Sequence, residues 1–381
     1  MIYKTLFTAD WHLSNSLPHS KVWNGAGGKT DRLSEQLNVV AAIKDLAVAE
    51  QVNSIVVLGD VFDRRLIDAV TLQAGVEAIR VMSEVIPVWL LPGNHDANSQ
   101  RGDRFLIEAF REMNFPGVTY MGGYSGINPD GYEWLTFYPV AWGPLSMTRE
   151  RIEEARAARV SKQAVLLLHH GINGCKDGGW VCDRELDPDE VCNGFDLVMS
   201  GHFHDPQEFG DCGHYVGAPM AHDFRDADSS RRGITIVTFY SEGGVNIKRT
   251  AINSPRFFVR QWSVGSRKLP LARGIRRGDF LRIDVRATRS DLVGLLPTVQ
   301  EYIGKLRDLG IRVMDPKCDP IPDSENRLVA GNEEVSGIGF ETVIDKYLGV
   351  ANLGGLDNHK LSEIGKSILR ETIANDRDRE Y

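Results

Sequence analysis

The chain has 381 residues, 42% hydrophobic and 25% charged, with 44 Lys plus Arg against 52 Asp plus Glu for a formal charge of −8. That composition excludes a disordered chain, and the 38 Gly and 16 Pro, scattered without period, exclude a collagenous or coiled-coil rod. The acidic balance counts against nucleic acid as a partner, since phosphate binding is driven by Lys and Arg.

In chain order, the pattern predicts a buried strand at 3–9, a helix at 34–50, a strand at 54–58, a helix at 69–84 and a strand at 88–91. Helices are expected at 104–113 and 148–159, then strands at 164–168 and 196–199, each apolar run ending before a polar cluster. Runs at 233–239, 245–252 and 256–264 read as strands closing an α/β domain, in which ligands sit at the carboxyl ends of strands. Beyond about residue 269 come a strand at 280–285, a helix at 291–309, a strand at 311–314 and helices at 339–347 and 360–373. The domain reading is 1–268, a small α+β unit at 269–335, and a helical segment at 336–381. No basic stretch precedes a long apolar run at the amino terminus and no apolar run is long enough to span a bilayer, so a cytoplasmic protein with no membrane partner is expected. Of five cysteines, Cys175, Cys182, Cys192 and Cys212 fall close together with His214, but their spacing matches no zinc pattern; free thiols are expected.

Charge is segregated. Residues 247–289 carry 12 Lys plus Arg against 2 acidic residues, a strip that reads equally as a solvated face or an anion-binding surface.

Chemistry-bearing residues recur at the predicted strand ends. Asp10-Trp11-His12 follows the first strand, where positions i and i+2 of an extended chain project to one side. Gly59-Asp60-Val61-Phe62-Asp63-Arg64 follows the second and Gly93-Asn94-His95-Asp96 the third, and His169-His170-Gly171 and Gly201-His202-Phe203-His204 follow later ones. One such group is commonly a cap or a satisfied polar side chain; five at successive strand ends point to a metal centre. The donors are imidazoles, carboxylates and an amide with no thiolate, which suits manganese, iron, zinc or cobalt, and they are too numerous for one ion. Two ions sharing a carboxylate use them all, the arrangement expected for in-line attack on phosphorus.

At these residues the sequence resembles the calcineurin-like metallophosphoesterase superfamily, whose pattern is Asp-x-His, Gly-Asp-x-x-Asp-Arg, Gly-Asn-His-Asp, a lone His and Gly-His-x-His. The resemblance implies a four-layer αββα sandwich of two mixed sheets with two divalent metal ions, most readily Mn2+. It places Asp10, His12, Asp60 and His204 on one metal, and Asp60, Asn94, His169 and His202 on the other. It implies a catalytic role for His95 on the leaving oxygen, with Asp63 and Asp96 orienting their neighbours. Residues 169–174, 194–207 and 215–219, with Asp223-Phe224, follow the spacing of the SbcD-type double-strand-break-repair nucleases. That likeness implies a capping domain at 269–335, DNA as substrate, homodimerisation, and an ABC-type ATPase partner of the SbcC type for the helical tail. Arg64, His170, Arg276 and Arg277 are candidate substrate contacts, and His170 competes with His169 as ligand; His169 is chosen because it fits the family's His-x-Gly pattern. Insertions at 14–30 and 175–193 depart from the pattern and bear on substrate choice. The readings are therefore a DNA nuclease, a phosphodiesterase for small substrates such as cyclic nucleotides, or a non-catalytic binding module of the same fold.

Overall fold

The computed structural model describes residues 1–21, 27–64, 66–227, 232–263, 273–287 and 289–320. The helices expected at 339–347 and 360–373 lie outside them.

The central strands are legible because they are buried on both faces, which makes each a continuous apolar run; Val118–Tyr120, Leu135–Pro139, Gln207–Phe209 and Gly213–Tyr215 are strands the sequence reading does not include. In Ser54–Leu58 the residues Ile55 and Val57 turn to one core while Val56 and Leu58 turn to another. Gln163–His169 alternates likewise, Val165 and Leu167 against Leu166 and Leu168. These alternations build four layers.

The first sheet runs Val245–Ala251, Gly233–Tyr240, Ile2–Thr8, Ser54–Leu58, Val88–Leu91, Val118–Tyr120, parallel from Ile2–Thr8 onward and antiparallel before it. The second runs Gln207–Phe209, Gly213–Tyr215, Leu197–Gly201, Gln163–His169, Leu135–Pro139, with only the first pair antiparallel. Phe7, Phe137, Met199 and Phe239 fill the space between them. Helices Asp31–Ala49 and Ala69–Ser83 cover the outer face of the first sheet through Val40, Ile43, Ile79 and Met82. Helices Leu145–Ala157 and Pro188–Cys192 cover the second through Ile152, Ala155 and Val191. The fold is thus the expected α/β sandwich of two mixed sheets.

The first helix starts three residues before its predicted bound because Thr30 caps it, accepting from the Leu33 amide at 3.2 Å. The strand expected at 256–264 exists as Phe257–Ser263 but does not join the sandwich. It pairs in parallel with Phe280–Ala287, which also pairs with Arg312–Val313 and Lys317–Pro320 beside helix Arg289–Asp308. This small sheet meets the sandwich at an aromatic stack. The Phe257 and Phe280 rings lie 4.4 Å apart and nearly parallel, with the buried Arg32 guanidinium 5.0 Å from one face and Arg312 4.7 Å from the Phe280 ring. Arg32 also binds Glu35 at 2.6 Å and the Ala221 carbonyl at 3.0 Å.

A candidate two-metal centre

The strand ends converge on one crevice. After Ile2–Thr8 the chain continues alongside the second strand, Asp10 N–H donating to Gly59 O and His12 N–H to Asp60 O, both at 3.0 Å. Asp10 and His12 are not extended, as the i, i+2 reasoning supposed; with Asp60 and His202 they adopt positive φ of 54°, 47°, 55° and 97°. For non-glycine residues that conformation costs about 1–3 kcal/mol each and persists where surroundings impose it, commonly at functional sites. Two glycines admit the close packing. A Cβ on Gly59, itself at φ +86°, would meet His169 Nδ1 at 2.1 Å, and one on Gly93 would meet Asp60 Oδ1 at 2.2 Å.

For His169 and His204 the ring orientation follows from an outer hydrogen bond. His169 Nδ1–H donates to Leu58 O at 2.7 Å, so Nε2 carries a lone pair. That Nε2 lies 3.0 Å from Asn94 Oδ1 and 3.2 Å from Asp60 Oδ2, and His202 Nδ1 is also 3.0 Å from Asn94 Oδ1. On the other side His204 Nδ1 faces Asp226 Oδ1 at 3.1 Å and His12 Nδ1 faces Asp63 Oδ1 at 3.5 Å. Their Nε2 atoms then point at each other across 3.2 Å, with Asp60 Oδ2 3.6 Å from that of His12. Lone-pair donors crowded on either side of one carboxylate need cations between them, which is the observation that these residues fit two metal ions. The donors of Asp10, Asp60 and His169 lie within 4.8 Å of one another, as do those of His12, Asp60 and His95.

In the metal-free site the same charges hold protons where cations would sit. Burial opposes ionisation of Asp60, but His169 and His12 hold its carboxyl far below the usual range. Burial likewise opposes protonation of His169, yet Asp60 and Asp10 lift it to about 9; His204 is lifted to about 9 against burial by Asp226. Desolvation, aided by His169, keeps His202 neutral.

His95 N–H donates to Asp60 Oδ1 at 2.8 Å and its Nδ1 meets Asp63 O at 2.5 Å, leaving Nε2 available. Asp96 is fully buried and accepts from the backbone N–H of Asp60, Gly93 and Phe62 at 2.9, 3.0 and 3.3 Å, locking two loops together. Burial and the Asp60 charge push its carboxyl up to about 7 against those donors.

Arg64, paired with Asp63 at 3.2 Å, lines the crevice, which encloses about 290 Å³ and also includes Arg225 and Asp177. His170 is not brought there. Its buried Nε2 faces Thr148 Oγ1 at 2.9 Å and the Gly143 amide at 3.3 Å, and desolvation lowers it to about 3. Arg276 and Arg277 are exposed on the small sheet's loop and do not line the crevice. Sequence reasoning missed three residues. Asp226 orients His204 and is held by Arg232 at 3.0 Å, and His222 Nε2 reaches Asp10 O at 3.0 Å. None lies directly at the carboxyl end of a strand, and the sequence signal near them is Asp223-Phe224 within the nuclease-like spacing.

Comparison with known proteins identifies the family. The family model for calcineurin-like phosphoesterases matches residues 3–206, more than half of the chain. The chain is 26% identical over 179 residues to the DNA double-strand break repair protein Mre11 of Sulfurisphaera tokodaii, covering 43% of this chain and 42% of that one. It is 34% identical over 95 residues to the SbcD component of the Bacillus subtilis nuclease SbcCD, covering 24% and 22%. The match thus spans less than half the length of these relatives. A dimetal phosphatase from Danio rerio aligns over 65% of this chain and 95% of its own at TM-score 0.41 and 9% identity. With its strand-end donors gathered on one crevice and the family model covering the strands that carry them, this chain belongs to the calcineurin-like phosphoesterase family, a metal-binding phosphoester hydrolase.

Proposed function

We propose that the chain is a manganese-dependent DNA nuclease of the SbcD and Mre11 kind, acting in recombination and repair. The observation that carries the phosphodiesterase part is the pair of facing lone-pair clusters around Asp60, with His95 beside them. The DNA part is supported by the names of its relatives, a double-strand break repair protein and a component of a nuclease.

In this reading Asp10, His12, Asp60 and His204 hold one cation, and Asp60, Asn94, His169 and His202 the other. The cations supply Lewis-acid charge neutralisation and a nucleophile at neutral pH. Asp63 and Asp96 fix the loops that present these ligands. His95, with Nδ1–H donating to Asp63 O, turns Nε2 to the leaving oxygen and, when doubly protonated, gives it the Nε2 proton. Arg64 and Arg225 at the rim contact phosphates flanking the scissile one. Nitrogen and oxygen donors without thiolate favour manganese, with iron, cobalt or zinc as substitutes. We assign 1–268 to catalysis, apart from the strand Phe257–Ser263, which pairs within the small sheet, 269–335 with that strand to a capping domain, and 336–381 to a helical segment for an SbcC-type ATPase, in a cytoplasmic homodimer. No helix among the described residues is long and apolar enough to cross a membrane.

The test is a substrate panel of linear duplex DNA, single strands, cyclic nucleotides and bis-p-nitrophenyl phosphate, each with manganese and with chelator. Manganese-dependent degradation of DNA is expected; hydrolysis of the small diester or cyclic nucleotides with no DNA degradation at low salt refutes the nuclease reading.

A further inference from the structure

The insertion at 175–193 carries an aromatic side chain that the hydrolytic chemistry does not use. Lys176–Asp177 and Trp180–Val181 form a two-stranded hairpin closed by Gly178 and Gly179. Its placement is fixed. Lys176 N–H donates to Gln207 Oε1 at 2.8 Å, Gln207 Nε2 donates back to Lys176 O at 2.7 Å, and Cys182 N–H donates to Cys175 O at 2.9 Å below it. Asp177, paired in register with Trp180, lines the metal crevice, and the hairpin's turn lies against the Arg225 backbone, which lines it too.

Trp180 is 52% exposed. One edge contacts Phe203 at 6.3 Å between ring centroids, and Phe203 stacks on His202 at 5.2 Å. The indole is therefore two ring contacts from a candidate metal ligand. About half of it is in solvent, and its cross-strand pairing puts it on the same face of the hairpin as Asp177, which lines the crevice of the proposed phosphodiesterase site. The group that leaves such a site next to the scissile phosphate is a nucleoside, and a positioned aromatic face binds a base without reading its identity. Because the hairpin is already docked, little ordering cost opposes the contact.

We propose that Trp180 is a stacking platform for an unpaired nucleobase flanking the scissile phosphate, which makes single-stranded or frayed ends the preferred form of the substrate. This rests on the nuclease reading. The test compares oligothymidylate with an abasic strand of the same length, using wild type, W180A and W180F, with turnover of bis-p-nitrophenyl phosphate as the measure of an intact centre. W180A should lose about 5- to 150-fold in kcat/KM on oligothymidylate, mostly through KM. It should leave the abasic strand and the small-diester kcat unchanged, and W180F should keep most of the preference. Equal losses on both strands mark a structural role and overturn the inference, as does no loss on either. Wild type that hydrolyses the diester but neither oligothymidylate nor duplex DNA overturns the nuclease reading, and this inference with it; cleavage of duplex but not oligothymidylate, or strand cleavage indifferent to W180A, overturns only the inference. If W180A does not fold, W180Q, which keeps bulk without a π face, replaces it in the same comparison.

Discussion

Asp226 offers the sharpest test of how the His12/His204 side is held. Its Oδ1 meets His204 Nδ1 at 3.1 Å and Arg232 at 3.0 Å, while Oδ2 accepts from His222 N–H at 2.8 Å. In Asp226→Asn the remaining oxygen can serve His204 and Arg232, but the new amide faces the His222 N–H, donor against donor, and the charge that makes His204 a stronger ligand is gone. In Asp226→Ala all three donors lose their acceptor, although Arg232 keeps Asp205 at 3.1 Å. Groups that orient a ligating histidine typically contribute 10- to 100-fold in metal affinity, so we expect about 1.4 kcal/mol lost in D226N and nearer 2.7 kcal/mol in D226A. The assay is manganese titration by calorimetry, in which one of two binding steps should weaken. The sign with pH also follows. In the metal-free wild type burial lowers the His204 pKa, but Asp226 raises it to about 9, so protons compete with metal below that value and affinity climbs as pH rises from 7 to 9. Without the Asp226 charge the climb should be shallower, and the mutational loss is read cleanly at pH 9. Dissociation constants for both variants within twofold of wild type at pH 9 would refute the assignment.

His95→Ala should lose about 10²- to 10⁴-fold in turnover while binding manganese as wild type; loss of a metal step in the same titration would make His95 a ligand. Gly59→Ala forces a Cβ into the His169 ring at a left-handed position, and should abolish metal binding and lower Tm, whereas Gly174→Ala, at φ +84° with open space around it, costs only backbone strain. Chelation should lower Tm and manganese should restore it by about 2.7 kcal/mol at a hundredfold excess over Kd; an unchanged Tm would mean the facing lone pairs hold no cation. Arg32→Ala removes a fully buried guanidinium between Glu35 and the Phe280 ring and should cost about 3–5 kcal/mol, measured by urea denaturation.

What was legible in the sequence and what was not divides on one physical line. Strands such as Ser54–Leu58 and Val88–Leu91 declare themselves because both faces are buried, and metal-ligand types at their ends declare the crevice. Residues that act through others left no such trace. Asp226 and His222 sit in a loop after Gly213–Tyr215, and only the folded chain brings them against His204 and Asp10. His170 misled for the opposite reason. It follows a strand-end histidine, but its direction is set by Thr148, on a helix distant in sequence. Phe257–Ser263 is apolar enough for either sheet; its stack on Phe280 and parallel register with Phe280–Ala287 place it in the smaller one, a long-range choice no local pattern encodes.

The charge pattern changes meaning in the same way. Much of the basic strip at 247–289 is engaged within the fold: Lys248 with Glu50 at 2.7 Å, Arg256 with Asp279 at 2.7 Å, Arg282 with Asp284 at 2.8 Å, Arg249 with Val216 O at 2.6 Å. Among the described residues of the strip, Arg273, Arg276, Arg277 and Arg286 stay exposed around the small sheet, in a chain of net charge −8. In the proposed reading attraction for a phosphate-rich substrate comes chiefly from the crevice, where Asp10, Asp60, Asp63 and Asp96 sit together and bound cations would turn the local field positive beside Arg64 and Arg225. Metal loading is then expected to set substrate affinity as well as turnover. Manganese should tighten strand binding, and in H95A it should do so without cleavage; equal affinity with and without metal would place the phosphate-binding surface on the exposed arginines instead.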